Sequence, residues 1–326
     1  MQLTRNDDPR PTEKFDHPDI TAKGEPRARV GLVQLETLWF NTGTLCNIEC
    51  KNCYILSSPK NDSLVYLSTD EVVTFLDEIA EKKYGTREIA FTGGEPFLNP
   101  DMIEILDETL SRGFDVLVLT NAMQPMQRPR VRDGLLDLKG RYGDRMILRV
   151  SLDHHSQRLH EEERGEKTWA KALEGLDWLN DNGFAIAIAG RTCWGEDADA
   201  EREGYRNLIA SHSWAIDADD ATRLVLLPEM EPAADVPEIT TACWSILGKD
   251  PRNIMCASSR MIVKRKGAGR PTVLPCTLIP YDERFDGGAT LEEAFAADGG
   301  MYAKGAVKLC HVNCATFCVF GGGSCS

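Results

Sequence analysis

The sequence contains no apolar run long enough to cross a membrane. Its first 23 residues are polar, include Asp7, Asp8, Pro9 and Pro11, and lack the apolar segment typical of a signal peptide. Hydrophobic residues make up 42% of the chain and charged residues 27%, as in ordinary soluble proteins. We therefore expect a cytoplasmic protein with no membrane partner.

Positive charge is also scarce. The 326 residues include 37 lysines and arginines but 51 aspartates and glutamates, which gives a formal net charge of −14. A chain of this charge repels phosphate backbones unless it carries a local basic patch. The most basic stretch, Lys264-Arg265-Lys266, is short and is interpreted as part of a hairpin turn. Nucleic acid is therefore not expected as a partner.

Cysteine, in contrast, is abundant and unevenly distributed. Three of the eleven cysteines lie at positions 46–53 and four at positions 310–325. The others are Cys193, Cys243, Cys256 and Cys276. Because a reduced cytoplasm does not favour disulfides, such clustering indicates metal ligation.

Short apolar segments alternate with helical segments over the first two thirds of the chain. Strands are predicted at 33–40, 88–91, 115–119, 146–150, 184–189 and 223–227, and helices at 69–83, 101–111, 130–141, 167–182 and 200–211. This alternation predicts an α/β fold with parallel strands. The pattern alone allows a barrel or an open doubly wound sheet, and both place function at the carboxyl ends of the strands.

Five consecutive strand ends carry polar or glycine-rich segments, which is not expected of a purely structural domain. They are residues 43–54, Gly93-Gly94-Glu95-Pro96, Thr120-Asn121, Ser151-Leu152-Asp153 and Gly190-Arg191. Since the carboxyl ends of parallel strands meet at one edge of the sheet, these segments predict a single site.

The loop at 43–54 contains Cys46, Cys50 and Cys53, at spacings of four and three residues. Such a loop can direct three thiolates at one centre, which leaves one iron of a cubane cluster without a protein ligand. A closed zinc site needs a fourth ligand, and an ordinary electron-transfer cluster needs four cysteines. The alternatives are a structural zinc site and buried thiols.

The last hundred residues show a different pattern. A β-hairpin is predicted from 260–264 and 271–275, between Cys256 and Cys276. The chain then ends in a loop-rich segment with Cys310, Cys314, Cys318 and Cys325. Such a tail is expected to have little core of its own and to need a metal, and a zinc knuckle that includes His311 is one alternative.

In the order Cys46-x3-Cys50-x2-Cys53 and then Gly93-Gly94-Glu95-Pro96, the chain resembles the radical S-adenosylmethionine (SAM) enzymes. The resemblance implies a partial (β/α)6 TIM-like barrel at residues 31–228, after a leader segment at 1–30. It also implies a 4Fe-4S cluster with an open iron site that binds SAM. Cleavage of SAM gives a 5′-deoxyadenosyl radical, which abstracts hydrogen from a substrate. The chain departs from the family at Asn52, where an aromatic residue is common and contacts adenine.

The resemblance also implies which residues contact SAM. Glu95, in the motif with Gly93, Gly94 and Pro96, is expected to accept a hydrogen bond from the methionine amino group. Asn121 and Ser151 are expected at the ribose or the carboxylate. Arg164 or Arg191 is expected to pair with the carboxylate, because the arginine fork makes two charge-assisted hydrogen bonds.

The segment Ser151-Leu152-Asp153, followed by His160 and Arg164-Gly165, is similar to the radical SAM enzymes that carry SPASM or twitch extensions. That subset implies auxiliary iron–sulfur clusters in residues 229–326. We expect one auxiliary 4Fe-4S cluster, with two as the alternative, although the cysteine spacing departs from the usual SPASM pattern. The ligands implied are Cys256, Cys276, Cys310, Cys314, Cys318 and Cys325.

Other residues at the strand ends are candidates on position alone. Asp153 is expected to face the site. Cys193 follows Arg191 and is a candidate hydrogen-atom donor or auxiliary ligand, with a small buried hydrophobe as the alternative. His154 and His155 are candidates for a general base, with exposed loop histidines as the alternative. The run Glu161-Glu162-Glu163 is interpreted as the solvated start of a helix.

Three functions follow from these residues. The first is a radical SAM enzyme that modifies a peptide or protein side chain, as many SPASM proteins do. The second is the same chemistry on a small metabolite such as an amino acid, sugar or nucleoside. The third is an iron–sulfur electron carrier or redox sensor without SAM turnover. For the enzyme, the resemblance implies a flavodoxin or ferredoxin as the reductant partner.

Overall fold

The computed structural model of the protein describes residues 13–229 and 235–322. Its strands are β1 (Arg29–Val30), β2 (Thr37–Asn41), β3 (Glu88–Thr92), β4 (Asp115–Thr120), β5 (Met146–Ser151), β6 (Ala185–Arg191), β7 (Leu224–Leu227), β8 (Ser259–Val263), β9 (Thr272–Leu274), β10 (Tyr302–Ala303) and β11 (Ala306–Lys308).

The helices are α1 (Thr69–Lys82), α2 (Met102–Ser111), α3 (Gln124–Gln127), α4 (Pro129–Tyr142), α5 (Gln157–Arg164), α6 (Thr168–Asp181), α7 (Ala198–His212), α8 (Cys243–Leu247) and α9 (Leu291–Ala296). A π-helical segment, Cys314–Phe320, follows near the end of the chain. Within the described ranges, every helix is too short or too polar to span a lipid bilayer.

An eight-stranded sheet with the order β7-β6-β5-β4-β3-β2-β8-β9 forms the centre of the protein. Strands β2 to β7 are parallel and follow one another in chain order. A doubly wound sheet would reverse its strand order at a switch point, which this order does not do. The prediction of an α/β fold built on a partial (β/α)6 TIM-like barrel is therefore confirmed.

The strands are buried on both faces, which explains their continuous apolar sequences. In β2, all five residues are buried. Phe40 faces the helices, where its ring stacks on Phe91 at 5.7 Å between centroids. Trp39 faces the barrel interior with Ala90 and Leu117. Helix packing on one face and barrel filling on the other therefore hold the strand ends in place.

The start of α1 shows how a local sequence signal sets an element boundary. Ser68 Oγ accepts a hydrogen bond from Glu71 N, and Glu71 Oε2 accepts one from Ser68 N. This capping box satisfies two backbone donors, as the Ser-Thr-Asp-Glu sequence predicts.

The predicted hairpin exists as β8 and β9, but it extends the barrel sheet, because β8 pairs with β2 in parallel. Strand β1, from the predicted leader, pairs with β11 in a small three-stranded sheet. The domain boundaries at 30 and 228 stay a prediction.

The cysteine-rich tail, which was expected to have little core of its own, packs into a core that other segments mostly supply. A buried apolar cluster there includes Ile254, Phe285, Tyr302 and Phe317 together with several cysteines. The cluster draws on residues distant in sequence, from Ala28 to Val319, so inspection of the tail alone could not detect it.

The interpretation of Glu161-Glu162-Glu163 as the solvated start of a helix is wrong. These residues lie at the end of α5, and Glu163 is only 3% exposed. A single residue type in a run can face different surroundings on a helix, because successive residues are about 100° apart. Glu163 lies four residues after the buried Leu159, on the same helix face.

Candidate active site

A cavity at the carboxyl ends of the barrel strands collects residues from all the predicted strand-end segments. Its lining includes Cys46, Cys50 and Cys53 from the loop after β2, and Trp39 and Leu119 from the barrel interior. The predicted site residues that line it are Gly93, Gly94, Asn121, Ser151, Asp153, Arg164 and Arg191.

The three cysteines of the loop have thiols close enough to influence one another. Burial, together with the smaller effect of the charges of Glu95, Cys50 and Cys53, raises the pKa of Cys46 to about 12. Burial raises the pKa of Cys50 to about 11, against the nearby positive charge of Arg164. Three thiolates in such a poorly hydrated site repel one another unless they ligate cations.

The donors around these thiols fit an iron–sulfur cluster. Ser57 N donates to Cys53 Sγ at 3.3 Å, and Asn121 Nδ2 donates to Cys46 Sγ at 3.8 Å. Hydrogen bonds to cysteine sulfur stabilise the negative charge of such a cluster. Among the described residues that line the cavity there is no further cysteine and no histidine, and the carboxylate of Asp153 is paired with Arg164, so the donor set does not favour a closed zinc site.

Gly93 and Gly94 bring the end of β3 against the cysteine loop. Gly94 N donates to Gly43 O at 2.8 Å, and Glu95 N donates to Leu45 O at 3.1 Å. A Cβ atom on Gly94 would lie 2.1 Å from Leu45 O, so only glycine permits this approach. The two glycines therefore shape both the loop and the cavity wall.

Glu95 and Pro96 are buried but do not line the cavity. The Glu95 carboxylate accepts hydrogen bonds from Thr120 Oγ1 at 2.8 Å, Asn121 N at 2.8 Å and Phe97 N at 3.2 Å. Burial raises the pKa of Glu95 to about 7, although these donors act in the opposite direction. In this structure Glu95 ties the end of β3 to the end of β4, and its contact with the methionine amino group stays a prediction.

Both candidate arginines are paired with protein carboxylates. Arg164 contacts Asp153 through Nη2 at 2.9 Å and Nε at 2.8 Å. Arg191 lies 3.3 Å from Glu163 and 2.9 Å from Glu229. A carboxylate of a bound ligand would share each guanidinium with these partners, so the pairing expected from the sequence stays a prediction for both residues.

The histidines after β5 lie outside the residues that line this cavity. The nitrogens of His154 and His155 and a carboxylate oxygen of Glu196 lie within 4.8 Å of one another. However, His154 Nδ1 accepts a hydrogen bond from Ser156 N at 2.9 Å, which places the proton on Nε2. That nitrogen lies 3.0 Å from Glu196 Oε2, so it donates to the carboxylate and is not available to a metal.

Cys193 is half-buried and also lies outside the cavity lining. Its pKa is raised to about 12, chiefly by burial, next to Arg191 and Glu229. A role as hydrogen-atom donor stays a prediction.

The carboxyl-terminal cysteines separate into two groups. Four of them, Cys256, Cys276, Cys314 and Cys318, line a second, small cavity. The other residues that line this cavity are apolar. Cys310 is fully buried but not in that lining, and its thiol donates to Phe15 O at 3.1 Å. Cys325 lies outside the described residues. Burial raises the pKa of Cys314, and the charges of Cys276 and Cys256 raise it further.

Residues that the sequence did not identify connect the two cavities. Tyr54 lines the first cavity directly after Cys53, and its ring contacts Phe317 edge-on at 5.9 Å. Phe317 lies on the π-helical segment between Cys314 and Cys318. Contacts between such distant positions leave no signal in a single sequence.

Comparison with known proteins places these features in a family. A sequence model of the radical SAM superfamily matches residues 40–208. The antilisterial bacteriocin subtilosin biosynthesis protein AlbA of Bacillus subtilis (strain 168) is 32% identical over 145 residues, which cover 44% of this chain and 30% of AlbA. The chain thus spans less than half of the length of such curated relatives.

Two solved structures share the fold. Streptococcus suis SuiB bound to precursor peptide SuiA has a TM-score of 0.59 at 12% identity, over 82% of this chain and 66% of SuiB. Native anSMEcpe with bound AdoMet and Cp18Cys peptide has a TM-score of 0.56 at 13% identity, over 80% of each chain.

Proposed function

The chain belongs to the radical SAM superfamily, and from this membership we propose that it uses SAM radical chemistry to modify a side chain of a peptide or protein. The observation that carries the proposal is the convergence of Cys46, Cys50 and Cys53 on one cavity at the strand ends. A 4Fe-4S cluster held there would supply one electron to bound SAM, the chemistry that gives methionine and a 5′-deoxyadenosyl radical. An electron carrier without SAM turnover does not account for the match to an enzyme family.

The residues of the chain hold and shield this chemistry. The three thiolates ligate the cluster, and Ser57 N and Asn121 Nδ2 donate to two of the sulfurs. Arg164 brings positive charge next to Cys50. Apolar side chains from the barrel, including Leu119 and Val225, line part of the rest of the cavity.

For the auxiliary cluster we propose the ligands Cys256, Cys276, Cys314 and Cys318. They line one cavity, and four thiolates complete the coordination of a 4Fe-4S cluster. We leave Cys310 out of this set, because its thiol donates a hydrogen bond to Phe15 O and does not line that cavity, although it lies close enough to Cys314 to raise the pKa of that thiol. This proposal favours one auxiliary cluster over two.

The substrate class is proposed from the relatives. AlbA is named for the biosynthesis of a bacteriocin, SuiB was solved with its precursor peptide, and anSMEcpe was solved with a peptide. These names support a peptide substrate. We propose a flavodoxin or ferredoxin as the reductant, since the cluster needs one electron for each cleavage of SAM.

The test is anaerobic reconstitution with iron, sulfide, dithionite and SAM, followed by measurement of 5′-deoxyadenosine. Formation of this product is expected, and its absence from protein with intact clusters would refute the proposal. The substrate class is tested by adding short model peptides or the same amino acids in free form. Greater product formation with the peptides supports a peptide substrate, and stimulation by the free amino acids alone contradicts it.

A further inference from the structure

The residue between the last two cysteines of the loop is held by α5. Asn52 N donates to Glu163 Oε1 at 2.7 Å, and Asn52 Nδ2 donates to Glu163 Oε2 at 3.0 Å. Next to it, Lys51 N donates to the backbone oxygen of Glu163 at 2.8 Å. Both carboxylate oxygens of Glu163 therefore bind the same loop residue.

A second contact comes from the end of β6. Arg191 Nη1 donates to Asn52 O at 2.7 Å and lies 3.3 Å from Glu163 Oε1. The Arg191 guanidinium also lies over the ring of Tyr54, 4.8 Å from its centroid. The backbone N–H, the backbone carbonyl and the side-chain amide of Asn52 are thus all bound by two side chains.

These two side chains are buried, Glu163 at 3% exposed and Arg191 at 6%. A carboxylate is costly to bury unless it is paired and hydrogen-bonded. Two hydrogen bonds to Asn52 and an ion pair to Arg191 meet that condition. The contact is therefore specific, since removal of either partner leaves a buried polar group unsatisfied.

We propose that Glu163 is a positioning residue for the cluster, and that it acts through Asn52. Asn52 lies between Cys50 and Cys53, so fixing its backbone fixes the direction of both thiolates. Outer contacts of this kind orient metal ligands, and their loss typically costs about 10–100-fold in metal affinity or activity. The pair also gives a reason for asparagine at this position, because its short side-chain amide donates to Glu163, whereas a phenylalanine side chain has no donor. The inference rests on the proposed role of Cys50 and Cys53 as cluster ligands.

Exchange of the two functional groups tests the contact directly. In Glu163→Gln, the charge-assisted hydrogen bond from the Asn52 amide and the ion pair with Arg191 are lost. In Asn52→Asp, two carboxylates face each other. The double variant, Asn52→Asp with Glu163→Gln, restores the hydrogen bond with donor and acceptor exchanged and keeps the charge of the pair.

The control is Glu162→Gln, one residue away. Glu162 lies on the same helix, and its side chain is 47% exposed. Its carboxylate lies 3.9 Å from Lys51 of the loop, which makes a weak surface ion pair. All variants are reconstituted as the full chain with iron, sulfide and SAM. The measurements are the rate of iron loss to a chelator, the EPR change of the reduced cluster on addition of SAM, and the KM for SAM.

Each single variant is expected to lose the SAM-responsive cluster about 10-fold faster than the parent protein and to have a raised KM for SAM. The double variant is expected to recover most of both values, and Glu162→Gln is expected to match the parent protein. Equal behaviour of all variants, or no recovery in the double variant, would overturn the inference. A parent protein without a SAM-responsive cluster would instead overturn the proposed function.

Discussion

The two cysteine-lined cavities differ in what surrounds their thiols. The first contains three cysteines together with polar and charged residues such as Asn121, Asp153 and Arg164. The second contains four cysteines, and every other lining residue is apolar. Three thiolates leave a coordination position open, whereas four thiolates in an apolar shell complete a cluster. If the proposed ligand sets hold, the first cavity would leave one iron open to a ligand and the second would hold a cluster alone.

The largest effect is expected when a thiol of the first cavity is removed. Cys50→Ala leaves two ligands, so SAM cleavage should fall to background, at least about 100-fold below the parent protein. The measurement is 5′-deoxyadenosine formed under dithionite. Cys193→Ala is the control and should keep SAM cleavage, because Cys193 does not line the cavity. If Cys50→Ala still cleaved SAM, the first cavity would not be the site that holds the cluster for SAM cleavage.

The second cavity is tested by a matched pair of cysteine variants. Cys314→Ala should reduce bound iron by about four atoms per chain, the content of one auxiliary cluster. Cys310→Ala should leave bound iron unchanged, since its thiol contacts backbone oxygens and not the cavity. Iron and sulfide are counted after reconstitution. If both variants lose iron equally, the proposed ligand set is wrong.

The charged pair of the first cavity has no counterpart in the lining of the second. Asp153→Asn leaves Arg164 without its buried partner, which should cost about 3–5 kcal/mol of the free energy of unfolding and raise the KM for SAM. Urea unfolding and steady-state kinetics measure both effects. Arg158→Gln is the control, because its ion pair with Glu162 is exposed. If both variants lost a similar free energy of unfolding, burial would not explain the effect of Asp153→Asn.

The smallest effect concerns pH. Burial is the main reason that the pKa of Glu95 is raised from 4.5 to about 7. Its folded state binds the proton more tightly than the unfolded chain, so its contribution to stability is full below pH 4.5 and is lost as the pH rises through 7. The loss amounts to about 3 kcal/mol. Urea unfolding between about pH 4.5 and 7.5 should show this slope, and Glu95→Gln should flatten it. An equal slope in both proteins would contradict the raised pKa.

Much of the fold could be predicted because its signals are local. Each of the six parallel strands lies within a few residues of its predicted position, since buried parallel strands have continuous apolar sequences. The boundary of α1 follows from the capping residues Ser68 and Glu71. The hairpin at β8 and β9 was also predicted, but its pairing with β2 was not, because strand pairing between distant segments depends on the whole sheet.

Part of the candidate site was also predictable from the sequence. Seven predicted residues, besides the three cysteines of the loop, line the cavity, because the strand ends of a barrel converge. The buried state of Glu163 and the absence of Cys310 from the cavity that Cys314 and Cys318 line were not predictable. A run of three glutamates and a run of spaced cysteines each contain chemically identical groups, and only packing distinguishes them.

Spacing and local apolar pattern were enough to indicate the family, the alternation of strands and helices along the chain, and the three closely spaced cysteines of the loop. The tertiary structure decided how the groups are used. It pairs Arg164 with Asp153, binds Asn52 to Glu163, and directs four cysteines to one apolar cavity. The physical reason is that a buried charge or thiol depends on neighbours far away in the chain, and a single sequence does not record those distances.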